Sequence, residues 1–342
     1  MTEPQEDPDR PALRGREPVL DLLGALLDRA AAGYGESITL VGEAGIGKTA
    51  VLDRFADMAT RLHPGARLIR LIGVEAEVEM AWSALGTLLA DFLGRLDQLP
   101  PARSEAMRSA LALVGAPEGR VEEFAVALAA RDLLVDAAER WPVVVLVDDS
   151  HWIDVPTRRT LAYIARRLEL ERVLVVSTRR PGSDGTDTGP IRLLNPVGEA
   201  TAAGILQDVG VTSAEVRRHL VSVSGGIPLV LVEAAGLLDA DQRAGRAELP
   251  DPLPIGASGQ RVVDLVVDRL APHVRGALVV AAAEPDGRLD RILEALRATG
   301  SGLRELVAAE DGGVVLIEDE RISFRHPLMR SAVYHDAARG QR

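Results

Sequence analysis

Apolar positions in this chain follow two spacings that alternate over its first two hundred residues. "VLDLLGALLDRAAAG" (19–33) repeats every three to four positions, which predicts a helix. "SITLVGEA" (37–44) is a short β-rich run that feeds a glycine-rich loop, and "KTAVLDRFADMATRL" (48–62) resumes helical spacing directly on that loop. "ARLIRLIGVEA" (66–76) predicts a second strand. Helical spacing then fills 80–140, including "AWSALGTLLADFLGRL" and "VEEFAVALAARDLLVDAAERW". "PVVVLVDDS" (142–150) and "RVLVVSTRRPG" (172–182) are apolar strands, the first ending in two aspartates and the second in Thr-Arg-Arg. A loop, "DGTDTGP" (184–190), leads to "IRLLNPV" (191–197), a fifth predicted strand. The strands are continuously apolar and separated by helices. That pattern predicts a parallel sheet covered on both faces.

Beyond residue 197 the strands stop. "GEATAAGILQDVG", "SAEVRRHLVSVSGG" and "IPLVLVEAAGLLDA" are helical, and the Pro/Gly-rich "LPDPLPIGASGQ" (249–260) predicts a linker. From 261 come helices, then a hairpin in "GGVVLIEDERISFRH" (312–326), then a helix from Pro327 that reads as unfinished at Arg342. No internal repeat is evident. The pattern divides the chain into a disordered lead (1–12), an α/β domain (13–197), a helical domain (198–255) and a winged-helix-like domain (256–342).

Composition narrows the classes. The 342 residues suffice for two or three modules with cores of their own. A formal net charge of −12 argues against broad attraction to nucleic acid or an anionic membrane. With no cysteine there is neither a disulfide framework nor a thiolate zinc site. "MTEPQEDPDRP" lacks the basic and apolar regions of a signal peptide, and no apolar run is long enough to span a bilayer. The expected location is the cytoplasm.

One count changes the picture. Of 39 basic residues, Lys48 is the only lysine. It stands in "VGEAGIGKTA" (41–50), at the lysine position of Gly42-x4-Gly47-Lys48-Thr49, the spacing of a phosphate-binding loop between a strand and a helix. A compact ammonium reaches β- and γ-phosphates from inside a tight loop, whereas a planar guanidinium is wider and wants a bidentate partner. The loop from Gly42 through Glu43, Ala44, Gly45, Ile46 and Gly47 to Lys48, Thr49 and Ala50 is therefore the candidate cradle for ATP or ADP. Thr49 offers a hydroxyl to Mg²⁺. At the end of "VVVLV", Asp148 is the candidate Mg²⁺ ligand and Asp149 the candidate residue for activating water; the alternative is a pair that caps the turn. Arg179 in "STRR" reaches the same sheet edge and is either a γ-phosphate sensor or an ordinary solvated arginine. Asp154, two residues before Pro156, fits a helix N-cap, and Trp152 fits a packing role. Pro228 in "SGGIPL" and Pro327 in "FRHPL" suit first positions of helices. His326 then lies at a helix start, as a phosphate contact or as a buried structural histidine.

"LRGRE" (13–17), "GEAGIGKT", "LVDDSHWID", "STRRPG", "SGGIPL" and "FRHPLMRSAVY", in this order, resemble the N-terminal ATPase region of the large LuxR-type regulators, which belong to the STAND class of AAA-like NTPases. The resemblance covers residues 13–342. It implies a P-loop core with five parallel strands, the sensor strand lying between the two motif strands, followed by a helical and a winged-helix domain. It also implies an ADP-bound closed state and an ATP-bound open state that self-associates. Leu13, Arg14, Gly15 and Arg16 would line the adenine pocket, Pro228 would touch base or ribose, and His326 would meet the ADP β-phosphate.

Family members continue into a helical-repeat sensor and a DNA-binding helix-turn-helix, so this chain reads as a fragment or a short relative. Residues 261–342 carry 12 Arg against 13 Asp plus Glu, so no specific DNA binding is expected of this chain alone. The leading expectation is a slow ATPase switch module of a signal-responsive transcriptional regulator, its inducer not legible. The alternatives are a replication-initiator-like AAA+ ATPase and an ATPase module preceding a cyclase or kinase output. A metabolic kinase is disfavoured, because no acceptor-substrate site is recognisable.

Overall fold

The computed structural model describes residues 13–113, 122–183, 186–254, 256, 257, 260, 267, 269–298, 300–318 and 320–337. The lead expected at 1–12 lies outside them. The chain divides into two compact units, one made of Arg16–Glu43 with Gly47–Asn195, the other of Pro196–Arg342 with Ala44–Ile46 and the residues up to Gly15.

The first unit holds the alternating pattern. Helix α1 (Glu17–Ala31) buries Val19, Leu23, Leu27 and Ala30, a stripe at helical spacing. Strand β1 (Glu36–Val41) leads to α2 (Lys48–Leu62), which starts at Gly47 and buries Val51, Leu52, Phe55 and Ala59. Then follow β2 (Arg67–Ile72), α3 (Ser83–Leu89), α4 (Pro101–Ala110), α5 (Glu123–Ala138), β3 (Val143–Asp148), α6 (Val155–Ala165), β4 (Val173–Arg179) and β5 (Ile191–Leu193). The stretch read as one helix over 81–96 changes winding, because α3 gives way to a 3-10 helix at Ala90–Gln98. Leu85, Leu88, Phe92 and Leu96 recur every three or four residues and are buried, so the α-helical period of the burial runs on through the 3-10 segment.

The strands form one parallel sheet in the order β2-β3-β4-β1-β5. Every residue of β3 is buried and all of β4 but Arg179, as their unbroken apolar runs require. The short edge strand β5 is exposed along its length. Because the sheet is parallel, β1, β3 and β4 deliver their carboxyl ends to one edge, where ligands bind in open α/β sheets. Register places Val41 beside Arg179 and Val147 beside Ser177. Asp154 caps α6 by accepting from Thr157 N–H (2.9 Å), and its carboxylate also takes the backbone N–H groups of Trp82 and Ala84 (2.9 and 3.2 Å).

Among the described residues the second unit is helical, with one hairpin. Helices α7 (Glu199–Asp208), α8 (Ala214–Ser224), α9 (Pro228–Gly236) and α10 (Ala240–Arg243) come first. Residues 249–254 have no regular structure. Then come α11 (Pro272–Ala283), α12 (Leu289–Ala298), α13 (Leu303–Asp311), the antiparallel pair β6 (Val315–Glu318) and β7 (Arg321–Phe324), and α14 (Pro327–Asp336). Among the described residues one hydrophobic core gathers around Leu206, Leu220 and Leu231 and another around Leu278, Leu296 and Leu306. Helix α14 serves both, placing Leu328 and Ala332 in the first and Val333 in the second. Among the described residues no helix is long and apolar enough to cross a membrane.

Candidate functional site: a phosphate loop and two strand-end aspartates

Between β1 and α2 the chain makes a tight loop. Gly42 N–H donates to the Arg179 carbonyl (3.2 Å), which ties the loop's first residue to the end of β4. Gly45 and Gly47 adopt left-handed backbone, φ 76° and 99°. At Gly47 an added Cβ would meet nothing within 4 Å, so the requirement for glycine there is conformational rather than spatial.

Lys48 opens α2 and is only 7% exposed. Its Nζ donates to the carbonyls of Gly42 and Glu43 (2.9 and 3.0 Å), so the side chain folds back along its own loop. No carboxylate lies within ion-pair distance of it among the described residues. Burial pushes the ammonium below the usual lysine range; Asp149 pulls the other way, and the charge of Arg180 adds to the depression. A buried ammonium held only by neutral carbonyls fits a site that takes an anion. Thr49 is exposed on the first turn of α2.

The two aspartates are held by β4. Asp148 is 4% exposed. Its Oδ1 accepts from the Thr178 hydroxyl (2.8 Å), and its Oδ2 lies 3.7 Å from Arg70, which also pairs with Asp53 on α2. The same Thr178 oxygen accepts the Asp149 backbone N–H (2.9 Å). Asp149 sits at φ 47°, ψ 53°, a left-handed conformation that costs a non-glycine residue roughly 1–2 kcal/mol. The Thr178 hydrogen bond helps to offset that cost. Gly73 leaves the room for this turn, since a Cβ there would run into the Asp149 carbonyl and lie 2.9 Å from Trp152 Cβ.

The two arginines of "STRR" diverge. Arg179 makes a bidentate pair with Asp187 (2.7 and 3.2 Å). The charge of Arg180 acts on Lys48 and His151, and its Nε is buried without a hydrogen-bond partner among the described residues.

The remaining candidates divide between the units. Arg16, in the first, is buried and donates to the Asn195 carbonyl (2.9 Å). In the second, Leu13 is half-buried and Arg14 grips Asp208 (2.6 and 2.9 Å), holding that carboxyl below its ordinary range. Gly15 has φ 71°, and a Cβ there would lie 2.7 Å from Thr201 Cγ2. Pro228 opens α9, whose Leu229 N–H donates to the Gly45 carbonyl (3.2 Å). His326 caps α14, its Nδ1 accepting from Leu328 N–H (3.2 Å), and its Nε2 occupies the space a Cβ on Gly225 would need. Burial pushes this imidazole below its ordinary value.

The donor set also suits Mg²⁺. This ion takes hard oxygen ligands, and at phosphate sites it is bound through one or two carboxylates together with phosphates and water. Asp148 Oδ2, whose contact among the described residues is Arg70 at 3.7 Å, and the exposed Thr49 hydroxyl are such oxygens. No cluster of three His, Cys, Asp or Glu residues that could cage a metal occurs among the described residues. Sequence reasoning passed over Thr178, Arg180, Arg70 and His151. Strand alternation was the available signal for two of them, since it sets Thr178 and Arg180 on one face and Arg179 on the other.

An uncharacterised protein of Rhizobium meliloti (strain 1021) is 30% identical over 195 residues; the match covers 49% of this chain and 18% of that protein, so the chain spans under a fifth of the curated relative it matches. Among solved structures, the ORC2 protein of Aeropyrum pernix, in ADPNP–ADP complexes, superposes with a TM-score of 0.49 at 16% identity, covering 96% of this chain and 95% of that one. The Walker-type ATPase of Pyrococcus abyssi gives 0.45 at 14% identity, covering 95% and 98%. A STAND protein with a tetratricopeptide repeat sensor from Pyrococcus horikoshii gives 0.39 at 16% identity, covering 96% of this chain and 44% of that one. Strand order, phosphate loop and strand-end aspartates are those of an α/β P-loop NTPase, and residues 12–176, which carry the phosphate loop and both aspartates, match the family model of the AAA ATPase domain.

Proposed function

We propose that the chain is a Mg²⁺-dependent ATP- and ADP-binding switch module of the STAND type, working within a signal-responsive transcriptional regulator and hydrolysing ATP slowly to reset itself. The observation that carries this reading is Lys48, the only lysine, buried at the head of α2 with neutral carbonyls as its hydrogen-bond partners. Its ammonium offsets β- and γ-phosphate charge, and the N–H groups at the start of α2 face the same anion. Thr49 and Asp148 supply the oxygens for Mg²⁺, which when bound bridges phosphate oxygens and neutralises charge. Asp149 orients the attacking water. Arg180 takes the γ-phosphate-sensing role first considered for Arg179, whose guanidinium is committed to Asp187.

The resemblance adds the second unit's part, with a helical domain over 198–255 and a winged-helix-like domain from 256 onward. There Arg14 and Gly15 would serve the adenine, Pro228 the base or ribose, and His326 the ADP β-phosphate. Self-association belongs to the ATP state. With 12 Arg against 13 acidic residues over 261–342, no specific DNA contact is proposed for this chain.

Isothermal titration of Mg·ATP into the wild type and Lys48→Ala tests the core of the reading. Loss of the charge-assisted contact should weaken ATP by about 1.5–3 kcal/mol, roughly 10- to 150-fold. A folded Lys48→Ala protein with unchanged ATP affinity would refute it.

A further inference from the structure

His151 lies two residues after Asp149, in the 3-10 turn Ser150–Trp152 that follows β3. An imidazole in such a turn has easy access to water, yet this one is 8% exposed. Both ring nitrogens are buried, and neither has a hydrogen-bond partner among the described residues. Buried polar atoms are nearly always satisfied, so two orphans on one ring at the edge of a phosphate site ask for a partner. The plane of the ring is set by Trp152, whose ring centre lies 4.9 Å away at 39°.

The candidate partner is close. His151 Nδ1 is 3.9 Å from Asp149 Oδ1, too far for a hydrogen bond and near enough for a small torsional change to make one. The Asp149 carboxylate, for its part, receives no donor among the described residues; what fixes Asp149 is its backbone, through Thr178. A carboxylate without a donor therefore faces an imidazole without an acceptor. Burial lowers the imidazole's proton affinity, and the charges of Arg180, Lys48 and Arg158 act in the same sense against the pull of Asp149. A neutral imidazole still has one N–H to give, and the nitrogen that bears it is set by the partner it finds.

We propose that His151 is a positioning residue for Asp149, its Nδ1–H donating to the Asp149 carboxylate when ATP fills the loop and thereby fixing the carboxylate that orients the attacking water. The inference rests on the reading of Asp149 in the proposed function. It gives "DDSHW" a division of labour in which Asp148 holds the metal, Asp149 the water and His151 the orientation of Asp149.

Two arms test it. In the first, Mg·ATP and ADP affinities and single-turnover hydrolysis rates are measured for the wild type, Asp149→Asn and three substitutions of His151. His151→Asn places an amide N–H near the Nδ1 position, His151→Gln places one near Nε2, and His151→Phe keeps the ring without nitrogen. The expected result is a 10- to 100-fold slower step in the Phe and Gln variants, the scale seen when a group's orienting partner is lost. Both nucleotide affinities should stay within about threefold, and Asn should recover most of the rate. Phe matching wild type, or Gln rescuing where Asn does not, overturns the proposal. The second arm needs only binding. With a non-hydrolysable ATP analogue, ¹⁵N NMR should find the His151 proton on Nδ1, slowed in exchange with water, and that slowing should vanish in Asp149→Ala. An Nε2–H tautomer, or a signal indifferent to Asp149→Ala, overturns it. Failure of the underlying reading is separate: Asp149→Asn would then hydrolyse at the wild-type rate. A wild type that binds no ATP overturns both.

Discussion

One hydroxyl, that of Thr178, joins the two aspartates at the end of β3, donating to one carboxylate and accepting from the backbone of the other. The two aspartates are thus joined through a residue that carries no charge. The same strand end gives its two arginines different surroundings. Arg179→Ala removes a bidentate partner of Asp187 and should act mainly on folding, whereas Arg180→Ala removes a charge that reaches Lys48. We expect Arg180→Ala to weaken Mg·ATP at least fivefold more than ADP, because the extra phosphate is what its charge would meet, and Arg179→Ala to weaken both alike. Titrating both nucleotides into both variants checks this; the reverse pattern would return the sensing role to Arg179. Lys48, Asp148 and Asp149 were legible in the sequence because the spacing that identifies them also fixes their place on the strand–loop–helix turn. The divergence of the two arginines was not. It depends on which face of the strand looks toward the loop and on Asp187, eight residues further on, being there to take the other side chain.

Among elements, those with one unbroken period were legible. The buried strands β3 and β4 announce themselves as apolar runs, and α1 and α2 as stripes. The change of winding after Leu89 was not, since the apolar positions keep the α-helical recurrence at three and four through the 3-10 segment. Equally illegible was the meeting of two helix ends far apart in sequence. The left-handed Gly225 that ends α8 lies against the His326 ring that caps α14. Gly225→Ala must strain a backbone at φ 60° and push the imidazole off Leu328 N–H, losing the cap. A destabilisation of about 2–4 kcal/mol follows, of which the backbone accounts for roughly 1–2 and the cap for most of the rest. Urea denaturation would measure it. Because the ring causes the clash, combining Gly225→Ala with His326→Ala should cost less than the sum of the single changes. Strict additivity would mean that the contact carries no energy.

For the molecule as a whole, titration ties the buried imidazoles to stability. Burial depresses both His151 and His326. In the unfolded chain each takes its proton at about pH 6.5. From there down to the folded values the unfolded state binds more protons, so stability is full above about pH 6.5 and falls as the pH drops. Denaturation midpoints should decline between pH 7 and 5.5, and His151→Asn with His326→Asn should flatten that decline. An equally steep decline without the two imidazoles would place its origin elsewhere.

Helix α14 has a consequence for the order of folding. Leu328 and Ala332 complete one core of the second unit and Val333 the other, and both cores precede α14 in sequence. As the chain leaves the ribosome, each therefore waits for residues 327–336 before it can close. The β1–β5 sheet, complete by Leu193, need not wait. A pause in translation between β7 and α14 would leave a complete parallel sheet followed by two unfinished hydrophobic surfaces, the condition in which a chaperone or a protease would find this chain.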